Sequence, residues 1–206
     1  MTLDGKIATK SGDSHISSNQ DLRHLHRMRA KADAVMIGIG TQLKDDPLLT
    51  VRRVKGRNPV RVIIDNLAKT PPASRIFSVK EGRIIIAVSN KAPATRVAKL
   101  RRAGAEVIHC GIERVNLSKL LTKLRSEGIR SILLEGGGGL NWSMVSRGLV
   151  DEVMVTVAPV IAGGEKATTL VEGAGVRDMN RGIKLSLKGA KRAGDELVLS
   201  YRVENS

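Results

Sequence analysis

Glu135 closes an apolar run and is followed at once by Gly136, Gly137, Gly138 and Gly139 in "LLEGGGGLNW". A carboxylate in that place can bind hydroxyl groups or move a proton. Four glycines beside it expose backbone amides that no Cβ holds away from an anion. A strand ending at Glu135, a glycine run and a helix beginning near Leu140 would turn free N–H groups and the positive end of a helix dipole toward the carboxyl edge of a sheet. That is a phosphate cradle, with a tight ligand-free turn as the competing explanation. The G-x-G-x-x-G spacing of a Rossmann fold is not met, because Asn141 or Trp142 stands where the third glycine belongs, and "AGGEKATT" lacks the P-loop order.

A second stretch, "GIGTQLKDDP", offers Thr41 to begin a short helix and to direct its hydroxyl and amide at a phosphate or ribose, with Asp45 and Asp46 a turn later. Two such strand ends suit one elongated ligand lying across the edge of a sheet. His24 and His26 are two apart on a helix and diverge, and His109 and Cys110 are strand neighbours that face opposite sides, so no metal site is expected. No activated nucleophile is evident. An enzyme built from these residues must take its chemistry from a cofactor.

The elements that position these groups alternate along the chain. "AVMIGI", "VRVIID", "RIIIAVS", "AEVIHC" and "SILLE" are short β-branched runs that read as core strands of one sheet, and "LDGKIAT" reads as the tail of another. Helical spacing covers residues 21–31, with Leu22, Leu25 and Met28 on one face, and residues 94–103, 117–127 and 140–147. Ser18 followed by Asp21 is a variant of the capping box. After residue 150, "DEVMVTVAPVIAGG", "IKLSLKGAKRAG" and "ELVLSYRV" read as antiparallel strands at one edge of the sheet, with Gly194-Asp195 as a hairpin turn. The expected architecture is a single α/β domain with a mixed, mostly parallel sheet, helices on both faces and antiparallel C-terminal strands. A strand opening at Met1 is short for the centre of a sheet, so the sequence is expected to lack residues that complete it.

The 206 residues carry 35 Lys and Arg against 20 Asp and Glu, a formal net charge of +15. Such a charge calls for an anionic partner, whether nucleic acid, membrane surface or phosphorylated metabolite. Phe77, Trp142 and Tyr201 are scattered, which leaves no stacking platform for single-stranded nucleic acid. No apolar run approaches the roughly 18–20 residues that span a bilayer, and the start lacks a signal-peptide core, so a cytoplasmic protein without a membrane partner is expected.

Taken together, "MTLDGKIAT", "SGDSHIS", "HRMRAKADAVMIGIGTQLKDDPLLTVR", "NPVRVIID" and "LLEGGGGLNWSMVSRGLVDEV" resemble the riboflavin-biosynthesis reductase family, whose fold is like that of dihydrofolate reductase. The likeness covers essentially the whole chain. With no zinc-ligand pattern of a deaminase domain, it is closer to the stand-alone archaeal and fungal branch than to the bifunctional bacterial one. The resemblance implies that NADPH, with NADH as the alternative, reduces the ribosyl group of 2,5-diamino-6-ribosylamino-4(3H)-pyrimidinone 5′-phosphate, hydride reaching C1′ of a ring-opened imine. It implies that Thr41 and Asp45 hold the cofactor, that Asn66 approaches its adenosine end, and that Gly136, Gly137, Gly138, Gly139 and Leu140 bind its pyrophosphate. Ile16 stands where some relatives place a tryptophan against the cofactor. Ser14, Arg29, Leu49 and Arg52 match substrate contacts, the arginines suiting a 5′-phosphate. Lys6 and Glu135 are the expected contacts to the ribose hydroxyls and the aids to proton transfer. A homodimer is expected, and the short first strand removes one cofactor contact. The deaminated pyrimidine and dihydrofolate stay open as substrates, and a basic nucleic-acid-binding module is the alternative from another class.

Overall fold

Short runs of Val and Ile bounded by turn residues form parallel strands when both sheet faces are to be covered. In the computed structural model, which describes residues 1–204, five such runs pair side by side. They are β1 (Ala34–Gly38), β2 (Val60–Ile64), β3 (Ile84–Val88), β4 (Glu106–His109) and β5 (Ile132–Gly136), in the order β4-β3-β2-β1-β5 and all parallel. The helices are α1 (Asn19–Lys31), α2 (Ile39–Asp45), α3 (Ala94–Arg102), α4 (Leu117–Ser126) and α5 (Gly138–Val145). Three further strands, β6 (Glu152–Val157), β7 (Leu185–Ala193) and β8 (Glu196–Val203), make an antiparallel sheet of their own in the order β6-β8-β7 rather than extending the first sheet at its edge. The chain falls into two compact units: Arg23–Gly137, and Met1–Leu22 with the segment from Gly138 onward.

In the parallel unit every residue of β3 is buried. Val35, Ile37, Ile63, Ile84, Ile86 and Val88 share one face with Val97 and Leu100 of α3. From β1 the chain steps outward through β2 and β3 to β4, then returns past β1 to β5. Helix α3 packs on the face that carries Val35 and Ile37, and the right-handed crossover rule for parallel strands assigns α4, on the return path, to the opposite one. The reversal lies between β1 and β5, and the crevice outside the carboxyl ends of those two strands is where open α/β sheets bind ligands. Ile37 pairs with Gly136 although the neighbouring Met36 pairs with Leu134, so Glu135 is an extra residue bulged out of the ladder at that point.

In the other unit, β7 and β8 are joined by Gly194-Asp195, and the positive φ of Gly194 is what a two-residue type II′ hairpin requires. Ser18 caps α1 through the Asp21 amide. The second half of the capping box is filled differently: Glu196 accepts from both the amide and the hydroxyl of Ser18, while Asp21 accepts from Thr156. The expected strand over "LDGKIAT" is replaced by turns between two isolated bridges, Thr2 with Ala158 and Lys6 with Thr169.

Candidate active site

The bulge at Glu135 turns its side chain to Arg29. The guanidinium grips both carboxylate oxygens, Nε to Oε1 and Nη2 to Oε2, each at 2.6 Å. The pair is nearly dry, with side-chain exposures of 7% and 13%. A third Arg29 donor, Nη1, reaches the Thr50 carbonyl at 3.1 Å. Arg29 therefore does not stand free to receive a phosphate, as the sequence suggested; it orients the acid. Each carboxylate oxygen keeps a second acceptor site for a ligand hydroxyl.

Around this pair the charge is positive. Arg52 lies close enough to Arg29, Arg53 and Arg75 that burial first, and then these guanidiniums, pull its pKa below the ordinary arginine value, with Glu135 opposing. Its Nη1 donates to the Thr50 hydroxyl at 2.7 Å, and the residue is exposed. Leu49 differs: its side chain is 1% exposed and belongs to the core, on a backbone at φ +54°. Any ligand contact there falls to its main chain.

At the ends of β1 and β5, α2 begins at Ile39, two residues before Thr41. Thr41 donates its hydroxyl to the Gly136 carbonyl at 3.1 Å, tying the two strand ends together rather than pointing outward. Gly136 and Gly137 have φ of +78° and +89°, and a Cβ on Gly137 would come within 3.0 Å of Thr41 Oγ1. Asp45 is exposed at the far end of α2. Asp46 accepts from Gln42 and from the Arg75 amide, which makes it the structural one of the two acids. Asn66 follows β2 and spends its side-chain oxygen on the Val115 amide at 2.7 Å.

The remaining expected residues belong to the other unit. Helix α5 starts at Gly138, not near Leu140, so Gly138, Gly139 and Leu140 form its first turn and carry amides without intrahelical acceptors. Gly138 has an internal reason to lack a side chain, since a Cβ would lie 2.6 Å from Glu172 and 2.8 Å from the Thr169 carbonyl. Gly139 has open space. Lys6 is half-buried, Ser14 is exposed, and Ile16 donates its amide to the Ser14 carbonyl. Sequence reasoning passed over Thr50, weighed His26 only as a metal ligand and took Asp46 together with Asp45. The spacing of His26 and Arg29, three apart on one helix face, was the available signal for His26.

The description "RibD C-terminal domain" fits residues 1–199. The chain belongs to the RibD C-terminal domain family. It is 50% identical over 207 residues to the 2,5-diamino-6-ribosylamino-4(3H)-pyrimidinone 5′-phosphate reductase of Methanothermobacter thermautotrophicus, covering 99% of this chain and 95% of that protein. The protein of the same name from Aquifex aeolicus is 38% identical, with 100% and 94% covered. Against the riboflavin biosynthesis protein RibD of Actinobacillus pleuropneumoniae identity is 35%, and this RibD C-terminal domain spans 55% of that protein. Among solved structures, Acinetobacter baumannii RibD superimposes with a TM-score of 0.85 at 25% identity, over 98% of this chain and 55% of that one. Dihydrofolate reductase from Enterococcus faecalis, complexed with NADP(H), gives 0.52 at 12% identity, over 100% and 93%, a likeness of fold.

Proposed function

We propose that the chain is an oxidoreductase of riboflavin biosynthesis that reduces the ribosyl group of 2,5-diamino-6-ribosylamino-4(3H)-pyrimidinone 5′-phosphate to a ribitylamino chain. The observation that carries this reading is the 50% identity to a reductase of that name over nearly the full length of both chains. The protein of the same name from Aquifex aeolicus, 38% identical, supports the same diamino substrate.

NADPH is the proposed cofactor. Positive-φ glycines with no Cβ at the end of β5, followed by the first turn of α5, are a backbone suited to a pyrophosphate. Gly136 to Leu140 would hold that group, and Thr41, Asp45, Asn66 and Ile16 the rest of the cofactor. When bound, NADPH supplies the hydride that reduces C1′ of the opened sugar. The chain's own contribution is placement. Glu135, fixed by Arg29, accepts from the ribose hydroxyls and takes or returns a proton during ring opening; Lys6 is proposed to share this work. Arg52 neutralises the 5′-phosphate, and Ser14 and the Leu49 backbone complete the substrate contacts. We further propose that the protein acts as a cytoplasmic homodimer.

The test is to supply the diamino substrate with NADPH deuterated at the transferable nicotinamide position. One deuterium at C1′ of the ribitylamino product supports the reading. Product without deuterium, or no product while NADPH binds, overturns it.

A further inference from the structure

Three consecutive residues, Thr50 to Arg52, have no strand to pair with, yet each has its backbone held by a side chain. The Thr50 carbonyl accepts from Arg29. The Val51 amide donates to Asn58 Oδ1 at 2.8 Å. The Arg52 amide donates to His26 Nδ1 at 2.9 Å. Leu49, just before them, has a left-handed backbone that a non-glycine residue keeps only when its surroundings over-determine it. Two of the three holders, His26 and Arg29, stand one turn apart on α1 and are its buried residues. A helix that buries an imidazole and a guanidinium while Leu22, Leu25 and Met28 are only half-buried is built to hold something polar.

From this arrangement we propose that His26 is a positioning residue for the substrate's 5′-phosphate: as a neutral imidazole it fixes the Arg52 main chain and so aims the Arg52 guanidinium. The inference rests on the reading that Arg52 meets that phosphate. Accepting at Nδ1 from an amide leaves the ring proton on Nε2. Burial, followed by Arg29, Arg52 and Arg53, lowers the His26 pKa to about 4, so the ring stays an acceptor at neutral pH. A protonated ring would have no lone pair for the Arg52 amide and would add a cation to a cluster already rich in them.

The experiment compares the phosphorylated substrate with its dephosphorylated form in full-length variants, with thermal stability and NADPH affinity recorded alongside. Arg52→Ala sets the reference by raising KM selectively for the phosphorylated substrate. His26→Ala is expected to raise that same KM about tenfold without a matching loss on the dephosphorylated form. His26→Asn, whose Oδ1 replaces the acceptor, should restore it, and the double variant with Arg52→Ala should be no worse than Arg52→Ala alone. If His26→Ala does not fold, His26→Asn against His26→Gln decides, since the longer amide places its acceptor away from the Arg52 amide. Equal penalties on both substrates, or additive effects in the double variant, overturn the proposal. If Arg52→Ala itself fails to discriminate between the substrates, the reading of Arg52 falls and takes the inference with it.

Discussion

The parallel unit and the antiparallel unit differ most in what they bury. The first hides His26, Arg29, Gln42, Thr50, Arg61, Asp65, Thr70, Ser74 and Ser89 within an aliphatic core, whereas the second buries Thr2 and Glu196. Buried polar groups cost stability unless each is paired, so their concentration marks where the fold has been built around something other than its own packing. In the parallel unit three of them, His26, Arg29 and Thr50, meet at the bulged Glu135 and the loop after α2. Apart from Glu196, the charges among the described residues of the antiparallel unit lie at the surface, as in the Lys188–Glu152 pair across β7 and β6.

That contrast can be broken most sharply at its ion pairs. Arg29→Met leaves a buried carboxylate and the Thr50 carbonyl without their donor, and should cost about 3–5 kcal/mol in denaturant unfolding. Lys188→Met, at an exposed pair, should produce no measurable change. Comparable effects at the two sites would remove the distinction.

Next in size is Glu135→Gln, which preserves volume but not the proton acceptor; kcat should fall about 100-fold with NADPH affinity unchanged. Unchanged turnover would leave Glu135 as a structural partner of Arg29. Smaller again, Gly137→Val adds a branched side chain at φ +89°, where even a Cβ meets Thr41, and should weaken NADPH about tenfold in a binding titration. Gly194→Ala, also at positive φ but with nothing within 4 Å, should cost about 1–2 kcal/mol of stability and leave NADPH affinity as it was. Equal NADPH affinities in the two variants would place the pyrophosphate elsewhere.

A further effect is one of pH. Because folding lowers the His26 pKa from 6.5 to about 4, the unfolded chain takes up that proton first. The contribution is fully present above about pH 6.5 and is lost as pH falls toward 4. The groups facing the imidazole are cations, Arg29 on α1 and Arg52 and Arg53 on the loop, and they reinforce this sign. His26→Asn should flatten the stability profile in that window. An unchanged slope would mean that His26 titrates normally.

The aliphatic strands were legible because a parallel strand covered on both faces is one unbroken β-branched run. Five of them were found within a residue or two. The C-terminal hairpin was legible from alternation around Gly194-Asp195. The bulge was not, since only the register of β5 against β1 shows that Glu135 is the unpaired residue. Nor could one sequence show that Glu135 and Arg29, assigned separate tasks by resemblance, grip each other, because a pairing across 106 positions depends on the sheet that joins them. The same holds for Arg61. Within "VRVIID" it carries no signal of its role, yet it is fully buried and donates to the carbonyls of Ile76, Val79, Glu81 and Gly82. For the glycine run the reading was right about strand and helix but misplaced the junction. Two of its glycines close β5 or follow it at positive φ, and two belong to the first turn of α5.

The most direct test is the consumption of NADPH by the purified protein with three substrates in parallel: the diamino ribosylaminopyrimidine 5′-phosphate, its deaminated counterpart and dihydrofolate. Oxidation with the diamino compound, at a kcat/KM well above the other two, is the predicted result. Oxidation with only the deaminated compound or with only dihydrofolate, or no oxidation with any of them, would contradict it.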